Sequence, residues 1–189
     1  MISYSPPTTE NYQLEIVKAD GLNPLLRLLQ SPDLNSISAA VSCVHNLTLR
    51  TANDSPIIEA GFLQPLVNLL GFKDSEMIQL GAVNALRNLT ASTEKNQWAI
   101  VNAGAVQSIK ELVMEMPVKI QTRMTACIER LSRNGIHSPF NGLLQSHPPL
   151  DELKGRLSEI GIIEVLILLT KSPSAEVQRR SSTALQNLA

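Results

Sequence analysis

An all-α solenoid of about four repeats is the fold class this chain predicts, and three observations predict it. One pattern recurs in register. The break at Ala60-Gly61 is echoed at Ala19-Asp20, Ala103-Gly104 and Ile160-Gly161, and Asn88 is echoed by Asn46, Arg130 and Asn187, always 26 or 27 residues after the break. Asn46, Asn88 and Arg130 lie 42 residues apart, a period that fits stacked helical repeats. Within each unit the apolar residues follow helical spacing, and only 3% of the chain is aromatic, which disfavours propeller blades of similar period. Finally, a unit this short cannot bury its own apolar faces, so each must cover its neighbour.

The unit at 53–95 is the most regular. Pro56-Ile57-Ile58-Glu59-Ala60 reads as a short amphipathic helix stopped at Gly61. A second helix follows at 65–70, opened by Pro65, whose missing N–H costs nothing in a first turn. The polar turn Lys73-Asp74-Ser75 leads into a third, longer helix ending in Asn88-Leu89-Thr90. Residues 11–52 repeat this plan, with Pro24 opening the second helix and a third helix at 36–49. There Asp20 stands where the break usually has glycine, so the break is expected to shift slightly toward Gly21. The unit at 96–133 is degenerate: Met124 stands in the place of Ala82, and Pro117 separates the second and third helices.

After Arg130 the spacing lengthens. Asn187 lies 57 residues on instead of 42, and residues 134–156, rich in Gly, Pro, Ser and His, read as an inserted loop. The last unit occupies 157–189. Residues 1–10 are polar, contain Pro6-Pro7, and read as a disordered lead. With no polar cap helix at either end, Leu14, Ile16, Val17, Leu185 and Leu188 are expected to be exposed, as in a segment of a longer array.

The phrases EAGFLQPLVNLL and GAVNALRNLT resemble the armadillo-repeat pattern, over about 165 of the 189 residues and in four units. NYQLEIVKADGL, AGFLQPLVNLLGFKDSE and ALRNLTASTEKN are similar to the later repeats of fungal armadillo adaptors of the vacuole surface. The resemblance implies a right-handed superhelix whose third helices line a concave groove, and a scaffold that binds extended partner segments along an asparagine ladder. It also implies work in vacuole inheritance, nucleus–vacuole contact and autophagy-related targeting. Such adaptors reach the membrane through N-terminal lipids. Ile2 stands where myristoylation needs glycine, so any membrane association is expected only through a lipid anchor absent from this chain.

Composition and motifs point the same way. Net charge −1 gives no general attraction to nucleic acid. There is no secretory signal, and the longest apolar run, 162–169, is interrupted by Glu164 and too short to span a bilayer. This predicts a cytoplasmic protein. No phosphate-binding glycine loop or nucleophile elbow occurs, so no catalytic residue, cofactor or metal is expected. Cys43 and Cys127 share a slot with Ala85 and Ala184, which marks a small-residue packing position. His45 shares one with Arg87, Glu129 and Gln186, which reads as an exposed face.

What remains is a partner-binding surface on the third helices: Ser42 with Asn46, Asn84 with Asn88, and Thr183 with Asn187, each pair four residues apart on one face. A carboxamide can donate to and accept from a peptide backbone together. Arg123, Arg130 and Arg180 make the second half basic, which favours acidic segments. Two other readings are open. Nuclear-import armadillo adaptors carry Trp four residues before the Asn, where this chain has Ser42, Asn84, Ala126 and Thr183. The substrate-binding array of a ubiquitin ligase would need a further domain.

Overall fold

Four successive helix triplets build the described chain, in a computed structural model covering residues 9–133 and 150–189. The first triplet is α1 (Thr9–Lys18), α2 (Leu22–Leu29) and α3 (Leu34–Leu47). The second is α4 (Asp54–Glu59), α5 (Leu63–Leu70) and α6 (Glu76–Leu89). The third is α7 (Glu94–Asn102), α8 (Ala105–Leu112) and α9 (Val118–Ser132), and the fourth α10 (Leu150–Glu159), α11 (Ile162–Leu169) and α12 (Ala175–Leu188). No strand occurs among the described residues, and the expected all-α solenoid is the architecture.

Each first helix turns into its second through one residue with left-handed backbone: Asp20 (φ 59°), Gly61 (φ 90°), Gly104 (φ 82°) and Gly161 (φ 78°). The break therefore does not shift to Gly21, which has φ −67°. Asp20 keeps the register, being one of the few side chains that tolerate this conformation, and accepts a 2.8 Å hydrogen bond from the Asn23 amide. Gly21 is needed for space, since a Cβ there would meet the Ile16 carbonyl oxygen at 2.7 Å.

Three of the third helices start at a side-chain cap. Asp33 accepts from the Ser36 amide, Ser75 from that of Ile78, and Ser174 from that of Val177, satisfying donors a helix start leaves open. Pro117 precedes α9 instead. Three helices also end alike. The hydroxyls of Thr48, Thr90 and Ser132 donate back to the carbonyls of His45, Arg87 and Glu129 at 2.7, 2.7 and 2.8 Å.

The triplets stack as ladders. α3 packs on α6, α6 on α9 and α9 on α12, while α5 packs on α8, α8 on α11 and α4 on α7. One continuous apolar core runs through the stack, with Val41, Ile57, Phe62, Leu86, Ile120, Leu157 and Val177 fully buried. Each such side chain contributes about 1.5–3 kcal/mol by leaving water. Ala85, Cys127 and Ala184 are buried in their shared slot, and Cys43 is half-buried.

Three expectations change. Residues 150–156, read as loop because of Gly155 and of Pro148-Pro149 just before them, are helical: α10 starts at Leu150 and buries Leu153 and Leu157 at helical spacing. The rest of that insert, 134–149, lies outside the described residues, as do residues 1–8 of the lead, while Thr9 and Glu10 already belong to α1. Of the five end residues expected to be exposed, only Ile16 is. Val17, Leu185 and Leu188 pack on the core, and Ile167 and Leu168 of α11 are exposed instead. No described helix is long and apolar enough to cross a membrane.

Candidate protein-binding groove

The third helices carry every residue expected at the site, in neighbouring columns. Ser42 and Asn46 are exposed on α3, whereas Asn84 and Asn88 on α6, Arg123 and Arg130 on α9, and Arg180, Thr183 and Asn187 on α12 are half-buried. The side chains of Ser42 and Asn84 make no hydrogen bond among the described residues. Thr183 donates to the Arg179 carbonyl of its own helix.

The column one turn further on is committed to the array. The Asn88 amide donates to the Thr48 hydroxyl at 3.2 Å, the Asn187 amide to the Ser132 hydroxyl at 3.1 Å, and the Arg130 guanidinium to the Arg87 carbonyl at 2.9 Å. In each case the residue reaches back one unit to the end of the preceding third helix, where carbonyls lack intrahelical partners. Asn46, with no third helix before it among the described residues, is exposed.

The charges divide the ladder. Between units two and three, Arg87, Arg123 and Arg130 lie close enough that the last two, after burial, lower the Arg87 pKa. The Arg87 Nε is sealed from solvent. Burial, then Arg123 and Arg87, lowers the pKa of His45 on α3. None of the ion pairs among the described residues involves these three arginines. Between units three and four the pattern reverses. Arg180 donates to Glu129 at 2.6 Å and to Glu176 at 2.6 Å, and Glu129, its side chain 2% exposed, also pairs with Arg133.

At His45, Arg87 and Glu129 that slot is therefore not the plain exposed face its variability suggested, whereas Gln186 is exposed. Glu129 is buried because arginines neutralise it, and His45 and Arg87 are half-buried beside Arg123. The available signal was the slot's position, one residue before the column Asn, and its changing charge.

Stacked triplets with a left-handed break after each first helix define an armadillo-repeat protein. The profile described as Armadillo/beta-catenin-like repeat matches residues 9–49 and 51–91, and the structure carries the same triplet through two more units. The chain is an armadillo-repeat protein similar to fungal vacuolar protein 8. It is 49% identical to that of Yarrowia lipolytica over 178 residues, 94% of this chain and 28% of the relative. It is 45% identical to that of Schizosaccharomyces pombe, covering 95% and 30%, and 40% identical to that of Saccharomyces cerevisiae, covering 94% and 28%. The chain thus spans less than a third of these relatives. Among solved structures, an engineered protein superposes with a TM-score of 0.79 at 26% identity, covering 93% of this chain and 39% of the other. Computationally designed armadillo repeat proteins for modular peptide recognition superpose with 0.63 at 24% identity, covering 93% and 85%.

Proposed function

We propose that this array is a non-enzymatic binding scaffold that holds an extended, acidic segment of a partner protein along α3, α6, α9 and α12. One observation carries the reading: His45, Arg87, Arg123 and Arg130 meet where units one to three join, and no described carboxylate pairs with the three arginines. Like charges held together at partial burial repel, and an incoming carboxylate relieves them. Ser42 and Asn84, which have hydrogen-bonding capacity to spare, would take the peptide backbone on the same face. Asn46, Asn88 and Asn187 complete the ladder of the reading, with Asn88 and Asn187 also bracing the array. Similarity to vacuolar protein 8 supports a place at the vacuole surface, in vacuole inheritance, nucleus–vacuole contact and autophagy-related targeting. One array of this fold has been solved with the basic peptide (KR)4; the arginine cluster opposes such a ligand here, and with it the nuclear-import reading.

The test compares a labelled peptide of alternating Glu and Ser with one of alternating Lys and Ser. The acidic peptide is expected to bind, more weakly as salt rises. Arg87→Ala and Arg123→Ala should each weaken it roughly three- to tenfold. Equal binding of both peptides, or indifference to both substitutions, would overturn the reading.

A further inference from the structure

The same pair of slots meets at two successive junctions with opposite outcomes. The slot of Arg123 recurs one unit later as Arg180, and the slot of Arg87 recurs as Glu129. At the junction of units two and three, Arg123 stands near Arg87, and neither has an acidic partner among the described residues. At the junction of units three and four, Arg180 reaches Glu129 at 2.6 Å. Arg133 holds the other oxygen of that carboxylate, and the Asn187 amide lies 3.5 Å from the Glu129 carbonyl. The Glu129 side chain is 2% exposed and that of Arg180 18%.

From this we infer that Glu129 ends the anion-receptive stretch of the ladder. Its buried carboxylate occupies Arg180 and so withholds the fourth unit's arginine from a partner's acidic side chains. The inference rests on the proposed binding of an acidic segment, and sets its limit: the acidic residues of a partner register on units one to three, and the portion over unit four carries none that needs an arginine. Glu176 also touches Arg180, at 2.6 Å, but it is 43% exposed and shared with Arg179. A solvated pair of that kind gives way more readily than the buried one.

The experiment measures affinity of the full chain for the labelled Glu-Ser peptide by fluorescence anisotropy, after thermal unfolding shows each variant folded. Glu129→Gln, which keeps the shape and removes the charge, should tighten binding roughly threefold or more. Adding Arg180→Ala to that variant should remove the gain. Should Glu129→Gln fail to fold, Glu129→Met, similar in length and also uncharged, carries the same two expectations. An affinity unchanged by the Glu129 substitution overturns the inference. So does a gain that survives loss of Arg180, because deleting a negative charge would then explain it. If Arg87→Ala weakens binding while the Glu129 variant shows no gain, this inference alone falls. If Arg87→Ala and Arg123→Ala both leave binding unchanged, the groove reading falls and takes this inference with it.

Discussion

The side-chain amide of Asn88 donates to the hydroxyl of Thr48, one unit earlier, at 3.2 Å. That hydroxyl already donates to the His45 carbonyl at 2.7 Å, so Asn88 extends a cap that closes the preceding helix. Asn187 repeats the relation with Ser132. Asn88 and Asn187 are therefore inter-unit braces whatever else they bind.

Asn88→Ala is expected to lower the stability of the array by about 1 kcal/mol, the usual cost of a lost partly buried hydrogen bond. Asn84→Ala, on the same helix but with no partner, should change it by less than about 0.5 kcal/mol. Urea unfolding followed by circular dichroism measures both. Equal effects would contradict the brace.

Asp20→Gly should stabilise the first unit by about 1 kcal/mol, because glycine takes the left-handed backbone without the steric cost borne by other residues. Asp20→Val should destabilise it, a β-branched side chain being worse still there. The shift in thermal unfolding midpoint of each variant decides the matter, and a loss of stability with glycine would contradict it.

How far the fold could be read from the sequence depended on what kind of feature carried it. The triplets, their breaks and the small-residue slot at Ala85, Cys127 and Ala184 were legible because backbone conformation and packing volume constrain residue type in every unit. Asp20 misled because only its side chain departs; the backbone does not. α10 was hidden by Gly155 and by Pro148-Pro149 before it, although Leu153 and Leu157 held a helical spacing. The columns on the third helices were legible as columns. Their partners were not, since a hydrogen bond from Asn88 to Thr48 or an ion pair from Arg180 to Glu129 spans 40 or 51 residues and leaves no local pattern.

Asp54, on the first turn of α4, is 1% exposed, and burial raises its carboxyl from 3.8 to about 6, against a smaller opposing effect of the Ser92 hydroxyl. The folded value lies above the unfolded one, so folding takes up a proton between them. The stability this group gives is fully present below 3.8 and is lost as pH rises through about 6. Asp54→Asn should therefore raise stability at about pH 7.5 by on the order of 2 kcal/mol, with the gain vanishing at low pH. Denaturant midpoints of both chains across this range test the sign, and a variant weaker than wild type at neutral pH would contradict it.

His45 gives the binding reading its own pH dependence. Burial, then Arg123 and Arg87, lowers its pKa in the free chain. A carboxylate placed among these arginines favours the imidazolium and raises it, so binding takes up a proton. Affinity for the Glu-Ser peptide should rise as pH falls from about 8 to about 6, and His45→Asn should flatten the trend. A wild-type affinity that falls over this range would contradict the placement.

Hydrogen exchange of the whole chain, with and without the Glu-Ser peptide, locates the bound segment helix by helix. Added protection is expected on α3, α6 and α9, around Ser42, Asn84 and Arg123, with α5, α8 and α11 unchanged. Protection confined to α5, α8 and α11, or absent at saturating peptide, would contradict the groove reading.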